Sequence, residues 1–155
     1  MPATTELPEL DDTDRAILRS LNESARKSYR DVARDLSIAL STVSARIKRL
    51  EEEGVIKGYV PVVDAARLGY DLVVAIAVKI ARGKLIEVQS AISQRPEVFG
   101  VYDVTGEFDS LLLARFRSRT ELNDFVKDLL ALGDVEHTTT HLVLNTIKEE
   151  PRVPV

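Results

Sequence analysis

The hydrophobic residues of the first sixty positions recur with the period of an α-helix in three short blocks. Asp11 or Asp12 is placed to cap the first helix, and Ser28, with Asp31 three residues later, forms a variant of the capping box at the second. The third helix is predicted over residues 39–53, with Gly54 placed to end it. The apolar positions expected to share one core are Ile17, Leu18, Leu21, Val32, Ala33, Leu36, Val43, Ile47 and Leu50.

Only residues 37–39 separate the second block from the third, so a tight turn must join them. The third block carries hydroxyl, small and basic side chains opposite its apolar face, and Val55–Val60 predicts a short extended ribbon. This order is typical of a winged helix-turn-helix, whose second helix enters the major groove of DNA. The side chains predicted to bind double-stranded DNA are Ser28, Tyr29, Ser41, Thr42, Ser44, Ala45, Arg46, Lys48 and Arg49.

These side chains are expected to have different roles in DNA binding. Lys48 and Arg49 should contact DNA as cations. Ser41, Ser44 and Ala45 should set the sequence preference, because hydroxyl groups can bond base edges and a small side chain permits close approach. The alternative interpretation is a three-helix protein-interaction domain with a solvated basic face.

The charge pattern favours DNA although the whole chain is acidic. Its formal net charge is −4, yet residues 26–49 contain seven Lys or Arg against two Asp, a local charge of +5. The local sign matters more to a docked partner than the charge of the whole chain.

Composition narrows the remaining classes. The chain has no cysteine, which excludes disulfides and thiolate metal sites and fits a reducing, cytoplasmic location. Its longest apolar run, Leu72–Val78, is far too short to span a bilayer, so no membrane partner is expected. The first ten residues lack the basic and apolar segments of a signal peptide.

The hydrophobic period changes after residue 70. Strands are predicted at 72–81, 98–105, 108–116 and 135–147, with helices at 85–92 and 122–132. This β-α-β-β-α-β order is the split ferredoxin-like unit, so the fold class is α+β. The predicted segments are a mobile arm (1–9), the winged helix-turn-helix (10–60), a linker (61–70), the ferredoxin-like domain (71–148) and a tail (149–155).

The first predicted strand is apolar on both faces. Leu72, Val74 and Ile76 lie on one side, and Val73 and Ala75 lie on the other. Because two helices can cover only one face of a four-stranded sheet, the second face needs another cover. A second subunit is the simplest.

Residues Thr105–Asp109 predict a tight hairpin that carries two carboxylates, from Glu107 and Asp109. Asp109 is not needed to reverse the chain, and it heads an otherwise apolar strand. The residues alone leave a structural role and a ligand-binding role for Asp109 equally open.

No set of residues predicts catalysis or a metal site. The chain has no phosphate-binding glycine loop, no GxSxG and no HExxH. His137 and His141 stand four residues apart on one face of a predicted strand, about 13 Å, which is too far for one metal ion. The hydroxyl residues between them are better suited to a polar pocket or a subunit interface. We therefore expect neither an enzyme nor a bound cofactor.

Together these segments resemble the Lrp/AsnC family, the leucine-responsive or feast/famine transcription regulators. The resemblance covers about Leu10 to Lys148 and is carried by LDDTDRAILRSL, LSTVSARIKRLEEEGVIKGY and VTGEFDSLLL. It implies an N-terminal DNA-binding domain and a C-terminal domain that senses an amino-acid effector. It also implies homodimers that associate further, to tetramers or octamers. The effector residues that it implies are Thr105, Gly106, Glu107, Asp109, Thr138, Thr139 and Thr140.

The chain departs from the family pattern around the turn between the second and third helices. Ser37 stands where members usually have Gly and would have to adopt a left-handed conformation. Ala39 stands where members usually have Ser and cannot cap the third helix, which would then begin late, at Ser41.

Two other functions share this build. One is a sirohaem-decarboxylase-like enzyme, which needs histidine and basic side chains around a tetrapyrrole, and the chain has only His137 and His141. The other is an architectural DNA-binding protein without an effector.

Overall fold

The computed structural model describes residues 8–155 and divides the chain into two units. The first unit runs to Val62 and also contains Glu149–Val155, and the second comprises Val63–Lys148. The predicted arm lies outside the described residues except for positions 8 and 9. Within residues 8–155, no helix has both the length and the apolar character needed to cross a membrane.

The first unit is built on three helices, α1 (Asp12–Glu23), α2 (Tyr29–Leu36) and α3 (Leu40–Glu52). Both predicted caps are confirmed. Asp11 accepts the backbone N–H of Asp14 while Asp14 accepts that of Asp11, and the residues that begin α2 make the same reciprocal pair. The core side chains with no exposed surface are Ile17, Val32, Val43, Ile47 and Leu50.

The turn between α2 and α3 confirms one of the two expected departures. Ser37 is left-handed, with φ of 56°, and its N–H closes the end of α2 on the carbonyl of Ala33. The expected late start at Ser41 is wrong. Helix α3 begins at Leu40, because the carbonyl of Ala39 already accepts the N–H of Val43 at 3.1 Å, although no side chain caps the helix.

The predicted extended ribbon Val55–Val60 does not form a strand. Gly54 is left-handed, and the N–H of Ile56 returns to the carbonyl of Leu50 at 3.0 Å, so the chain folds back onto the end of α3. Among the described residues, this segment finds no strand to pair with. Tyr59 holds the segment instead, because its hydroxyl donates to Glu51 at 2.9 Å. Burial and this carboxylate raise the pKa of Tyr59 to about 12.

The second unit has the predicted β-α-β-β-α-β order. Its elements are β1 (Leu72–Ile80), α4 (Leu85–Ser93), β2 (Val98–Asp103), β3 (Ser110–Phe116), α5 (Arg119–Ala131) and β4 (Val135–Leu142). The strands form one antiparallel sheet in the order β2-β3-β1-β4. A short 3₁₀ turn, Ala66–Leu68, precedes the sheet within the predicted linker.

Strands β2 and β3 are each two residues shorter than predicted at the connection between them, and two other wrong ends have identifiable reasons. Helix α5 begins three residues before its first apolar position, because Ser118 caps it by accepting the N–H of Glu121. Strand β4 ends at Leu142, which pairs with Val74 near the start of β1. The N–H of Val143 donates to the carbonyl of Val73, and no residue pair between β1 and β4 follows.

The sheet is covered by helices on one face only. Val74, Ile76 and Val78 of β1 are fully buried against α4 and α5, together with Leu112 and Phe116 of β3. The opposite, open face is also apolar, as predicted, and is half-buried in the single chain. Its central residues are Val73, Ala75, Ala77, Leu111 and Leu113.

The C-terminal segment Glu149–Val155 lies along α1. The side chains of Arg19 and Asn22 donate to the backbone carbonyls of Val155 and Val153, each at 2.9 Å. The segment that was expected as a tail therefore belongs structurally to the first unit.

We expect Ala39→Ser to raise the free energy of unfolding by about 1 kcal/mol, since Ala39 already has the extended backbone of an N-cap but no side chain to accept an N–H. Urea denaturation measures the change. The matched control is Ala45→Ser, which makes the same substitution at an exposed position inside α3 and should bring no gain. Equal effects of the two substitutions would contradict the capping argument.

Candidate nucleic-acid interface and effector region

The outer face of α3 is polar and open. Ser41, Ser44, Ala45 and Lys48 are all exposed, whereas Val43, Ile47 and Leu50 on the opposite side have no exposed surface. Lys48 is 76% exposed, and within residues 8–155 its one carboxylate neighbour is the distant Glu52, at 3.7 Å. This face can therefore present two hydroxyls, one methyl and one ammonium group to a partner.

The first turn of α2 lies in the same helix-turn-helix and is also exposed. Tyr29 is 41% exposed. The hydroxyl of Ser28 is engaged in capping, since it donates to the carboxylate of Asp31 at 2.6 Å and accepts the N–H of Asp31 at 3.2 Å. Thr42, at the start of α3, is half-buried.

Arg46 and Arg49, both predicted to bind DNA, are paired with carboxylates of the first unit in this structure. Arg46 Nη1 donates to Asp11 at 2.5 Å and to Asp14 at 3.2 Å, and Arg49 Nη2 donates to Asp14 at 2.5 Å. Asp14 has no exposed surface. Both guanidinium groups therefore lie between α3 and the start of α1.

Two groups of this cluster, Asp11 and Arg46, favour their ionised forms. The N–H of Asp14 and the guanidinium of Arg46 hold the pKa of Asp11 below its ordinary value. The carboxylate of Asp11 in turn raises the pKa of Arg46. The role of Asp14 in this cluster was missed from sequence. The available signal was its spacing, since Asp14, Ile17 and Leu21 share one helical face that is buried.

In the second unit, β2 and β3 are joined by residues 104–109, a longer connection than the predicted tight hairpin. Both carboxylate oxygens of Asp109 are engaged within the second unit. Its Oδ2 accepts the N–H of Ile80 at 2.9 Å, and its Oδ1 accepts Lys79 Nζ at 3.1 Å. These two contacts lower the pKa of Asp109, the backbone bond contributing most.

The position of Asp109 explains its presence. The ladder between β1 and β3 ends at Val78 and Ser110, and the N–H of Asp109 still donates to the carbonyl of Val78 at 3.0 Å. The side chain then supplies the next acceptor, for Ile80, where the pairing of β1 with β4 shifts register. Asp109 thus extends the ladder past its last strand residue and joins the hairpin to β1.

The three threonines of β4 do not share one face. Thr138 and Thr140 pair with the buried Val78 and Ile76, so they lie on the helix-covered side of the sheet. Thr139 pairs with Ala77 and lies on the open face. The expected effector residues are therefore divided between the two sides of the strand.

A contact missed from sequence links the hairpin to β4. The rings of Phe108 and His137 stack with centroids 5.7 Å apart, and His137 also lies within hydrogen-bond distance of the Thr139 hydroxyl, at 3.3 Å. The signal was an aromatic residue inside a polar hairpin. Among residues 8–155, no three His, Cys, Asp or Glu side chains come together to hold a metal ion.

Comparisons with known proteins agree with this two-part architecture. Residues 10–57 match the family model of a winged helix-turn-helix DNA-binding domain, and residues 73–153 match that of the Lrp/AsnC ligand binding domain. An HTH-type transcriptional regulator of Pyrococcus furiosus is 43% identical over 94% of this chain and 98% of its own. The HTH-type transcriptional regulator FL11 of Pyrococcus horikoshii is 35% identical over 94% and 97%.

Solved structures give the same result. A transcriptional regulator of Neisseria meningitidis, solved as a complex with L-Met, superposes with a TM-score of 0.86 at 30% identity, covering 94% of this chain and 97% of that one. The AsnC protein of E. coli shares the fold, with a TM-score of 0.85 over 92% and 97% of the two chains, at 23% identity. The chain belongs to the Lrp/AsnC family of DNA-binding transcriptional regulators.

Proposed function

We propose that this protein binds specific DNA sequences and that a small effector, an amino acid, changes its DNA binding or its assembly. The observation that carries the first part is the outer face of α3, which is polar and exposed over a fully buried apolar face. The Lrp/AsnC ligand binding domain supports the second part. The relatives, which are named as regulators of transcription, point to regulation rather than catalysis.

The DNA-reading surface in this proposal is the exposed side of the helix-turn-helix. Ser41, Ser44 and Ala45 would face the base edges, and Lys48 would meet phosphate. This surface is flanked by Ser28, Tyr29 and Thr42, which would contact the sugar-phosphate backbone of DNA.

Lys48→Ala should weaken binding to all duplexes about equally, because a phosphate contact carries no sequence information. It should also reduce the slope of log K against log salt concentration by about 0.9, the value of one phosphate contact on B-DNA. Fluorescence anisotropy at several salt concentrations measures both. An unchanged affinity and slope would show that α3 is oriented differently.

We propose further that two copies pair through the open face of the sheet. The support is the apolar centre of that face, which includes Ala75 and Ala77 and which neither helix of the same chain reaches. A half-exposed apolar sheet face is typical of an interface rather than of a solvated surface. Association of such dimers into tetramers or octamers is part of the same proposal.

Sedimentation at about 1 μM should therefore show no monomer, as large apolar interfaces are typical of obligate dimers. Ala75→Glu places a charge at the centre of the open face and should produce monomers. Ala91→Glu, on the exposed surface of α4, makes the same change away from that face and should leave the dimer intact. A wild-type monomer would refute this part of the proposal.

The proposed effector region is the end of the sheet where the hairpin meets β4. An amino acid carries an ammonium and a carboxylate group. With Asp109 engaged by Lys79 and Ile80, the exposed carboxylate of Glu107 is the hairpin group that can accept the ammonium. The effector carboxylate suits the backbone N–H groups of the exposed Thr105–Gly106 turn and the hydroxyl of Thr139 on the open face, whereas Thr138 and Thr140 lie on the covered face and would not meet the same group.

Calorimetry with each of the twenty amino acids should identify a ligand. Glu107→Gln should then weaken its binding by about tenfold or more, the loss expected when a charge-assisted contact becomes neutral. Asp124→Asn, an exposed carboxylate of α5, is the matched control and should not change it.

The same experiment separates the two carboxylates of the hairpin. Asp109→Asn should lower the thermal stability of the second unit, because Asp109 joins the hairpin to β1. If Asp109→Asn leaves stability unchanged and abolishes binding while Glu107→Gln does not, Asp109 is the ammonium partner after all. Failure of all twenty amino acids would favour an effector-independent protein.

A further inference from the structure

The buried carboxylate of Asp14 is unusual for a small helical unit. It has no exposed surface, and its hydrogen-bond donors are two arginine side chains and one backbone N–H. Its Oδ1 accepts Arg46, and its Oδ2 accepts Arg49 and the N–H of Asp11. A buried carboxylate must be paired and hydrogen-bonded in this way, because an unpaired one is strongly disfavoured.

The two arginines are three positions apart on α3, so they lie one above the other on the same side of the helix. They flank the apolar stripe of Val43, Ile47 and Leu50. Apolar packing is not directional and would tolerate a small rotation of α3 about its axis. Two directional ion pairs to one fixed carboxylate do not tolerate such a rotation.

Ion pairing also decides which cations remain for DNA. Five of the seven basic side chains in residues 26–49 have a carboxylate oxygen within 4.0 Å. They are Lys27, Arg34, Arg46, Lys48 and Arg49. Arg26 and Arg30 have no ion pair with a residue of the described part of the chain, and both are exposed. The pair at Lys48 is the longest of those at α3, and its partner is on the surface.

We infer that Asp14 is a positioning residue for DNA reading, which holds Arg46 and Arg49 within the unit, fixes the rotation of α3, and leaves Arg30 and Lys48 to meet phosphate. This inference rests on the proposed DNA binding. It assigns to Arg30, in the first turn of α2, a contact that neither the motif nor the family comparison assigns. It removes Arg46 and Arg49 from the set of DNA contacts.

The first test compares the same substitution at two arginines. The probe is a duplex selected by the full-length protein from a random-sequence library, with a scrambled duplex of equal length as the reference. Arg30→Gln should reduce the slope of log K against log salt by about 0.9 and leave the preference for the selected duplex intact. Arg49→Gln and Arg46→Gln should leave the slope unchanged and reduce the preference by about tenfold, through misplacement of α3.

The second test removes the carboxylate charge with little change of shape. Asp14→Asn should release the two guanidinium groups, steepen the salt dependence by about 0.9 or more, and lower the preference for the selected duplex. A residue that only stabilised the fold would change neither quantity in the folded protein. Circular dichroism establishes folding, and if Asp14→Asn does not fold, the arginine comparison decides alone.

The outcomes separate this inference from the proposed function. If the wild-type protein selects and binds no duplex, the proposed function fails and the inference fails with it. If the wild type binds but Arg49→Gln and Arg30→Gln reduce the salt slope equally, Arg49 meets phosphate, and the inference alone is overturned.

Discussion

The burial of one charged group, the carboxylate of Asp14, constrains the whole helix-turn-helix. Removing a partner from a buried ion pair typically costs about 3–5 kcal/mol, a large part of the stability of a small domain. The start of α1 must therefore stay beside Arg46 and Arg49. The capping box of α1 supports the same geometry, because it fixes the side chain of Asp14 against the N–H of Asp11. Asp14 thus helps to cap the start of α1 and also contacts two arginines of α3.

The second unit depends on a comparable use of a carboxylate at the edge of regular structure. The β1–β3 ladder runs out at Ser110, and Asp109 supplies one more acceptor from its side chain. Lys79 balances the charge. Such a contact holds a hairpin at a defined distance from β1 without lengthening either strand. The turn residues Thr105–Glu107 are exposed and lie outside the strands of the sheet, so they are suited to contact a ligand.

Sequence reasoning recovered what depends on local patterns. The helix caps at Asp11 and Ser28, the order of strands and helices, and the apolar character of both sheet faces follow from spacing alone, and the structure confirms them. The left-handed Ser37 was also expected, since the resemblance places it where members of the family usually have Gly. Two of the errors occur where a distant partner decides, whereas the wrong starts of α3 and α5 are local. The ribbon at Val55–Val60 lacked a partner strand, and β4 ended where β1 stopped pairing.

The candidate sites show the same division more sharply. The polar face of α3 is a property of one helix, so its period revealed it. The engagement of Arg49 by Asp14 spans 35 positions, and that of Asp109 by Lys79 spans 30, so no local pattern could reveal either. A charged side chain near a binding surface can either serve the fold or meet a ligand. The residue type does not distinguish these two roles, but the directions of the hydrogen bonds of the side chain do. A guanidinium with its donors directed at a buried carboxylate contributes geometry to the interface, whereas an ammonium that is three-quarters exposed, like that of Lys48, can contribute charge.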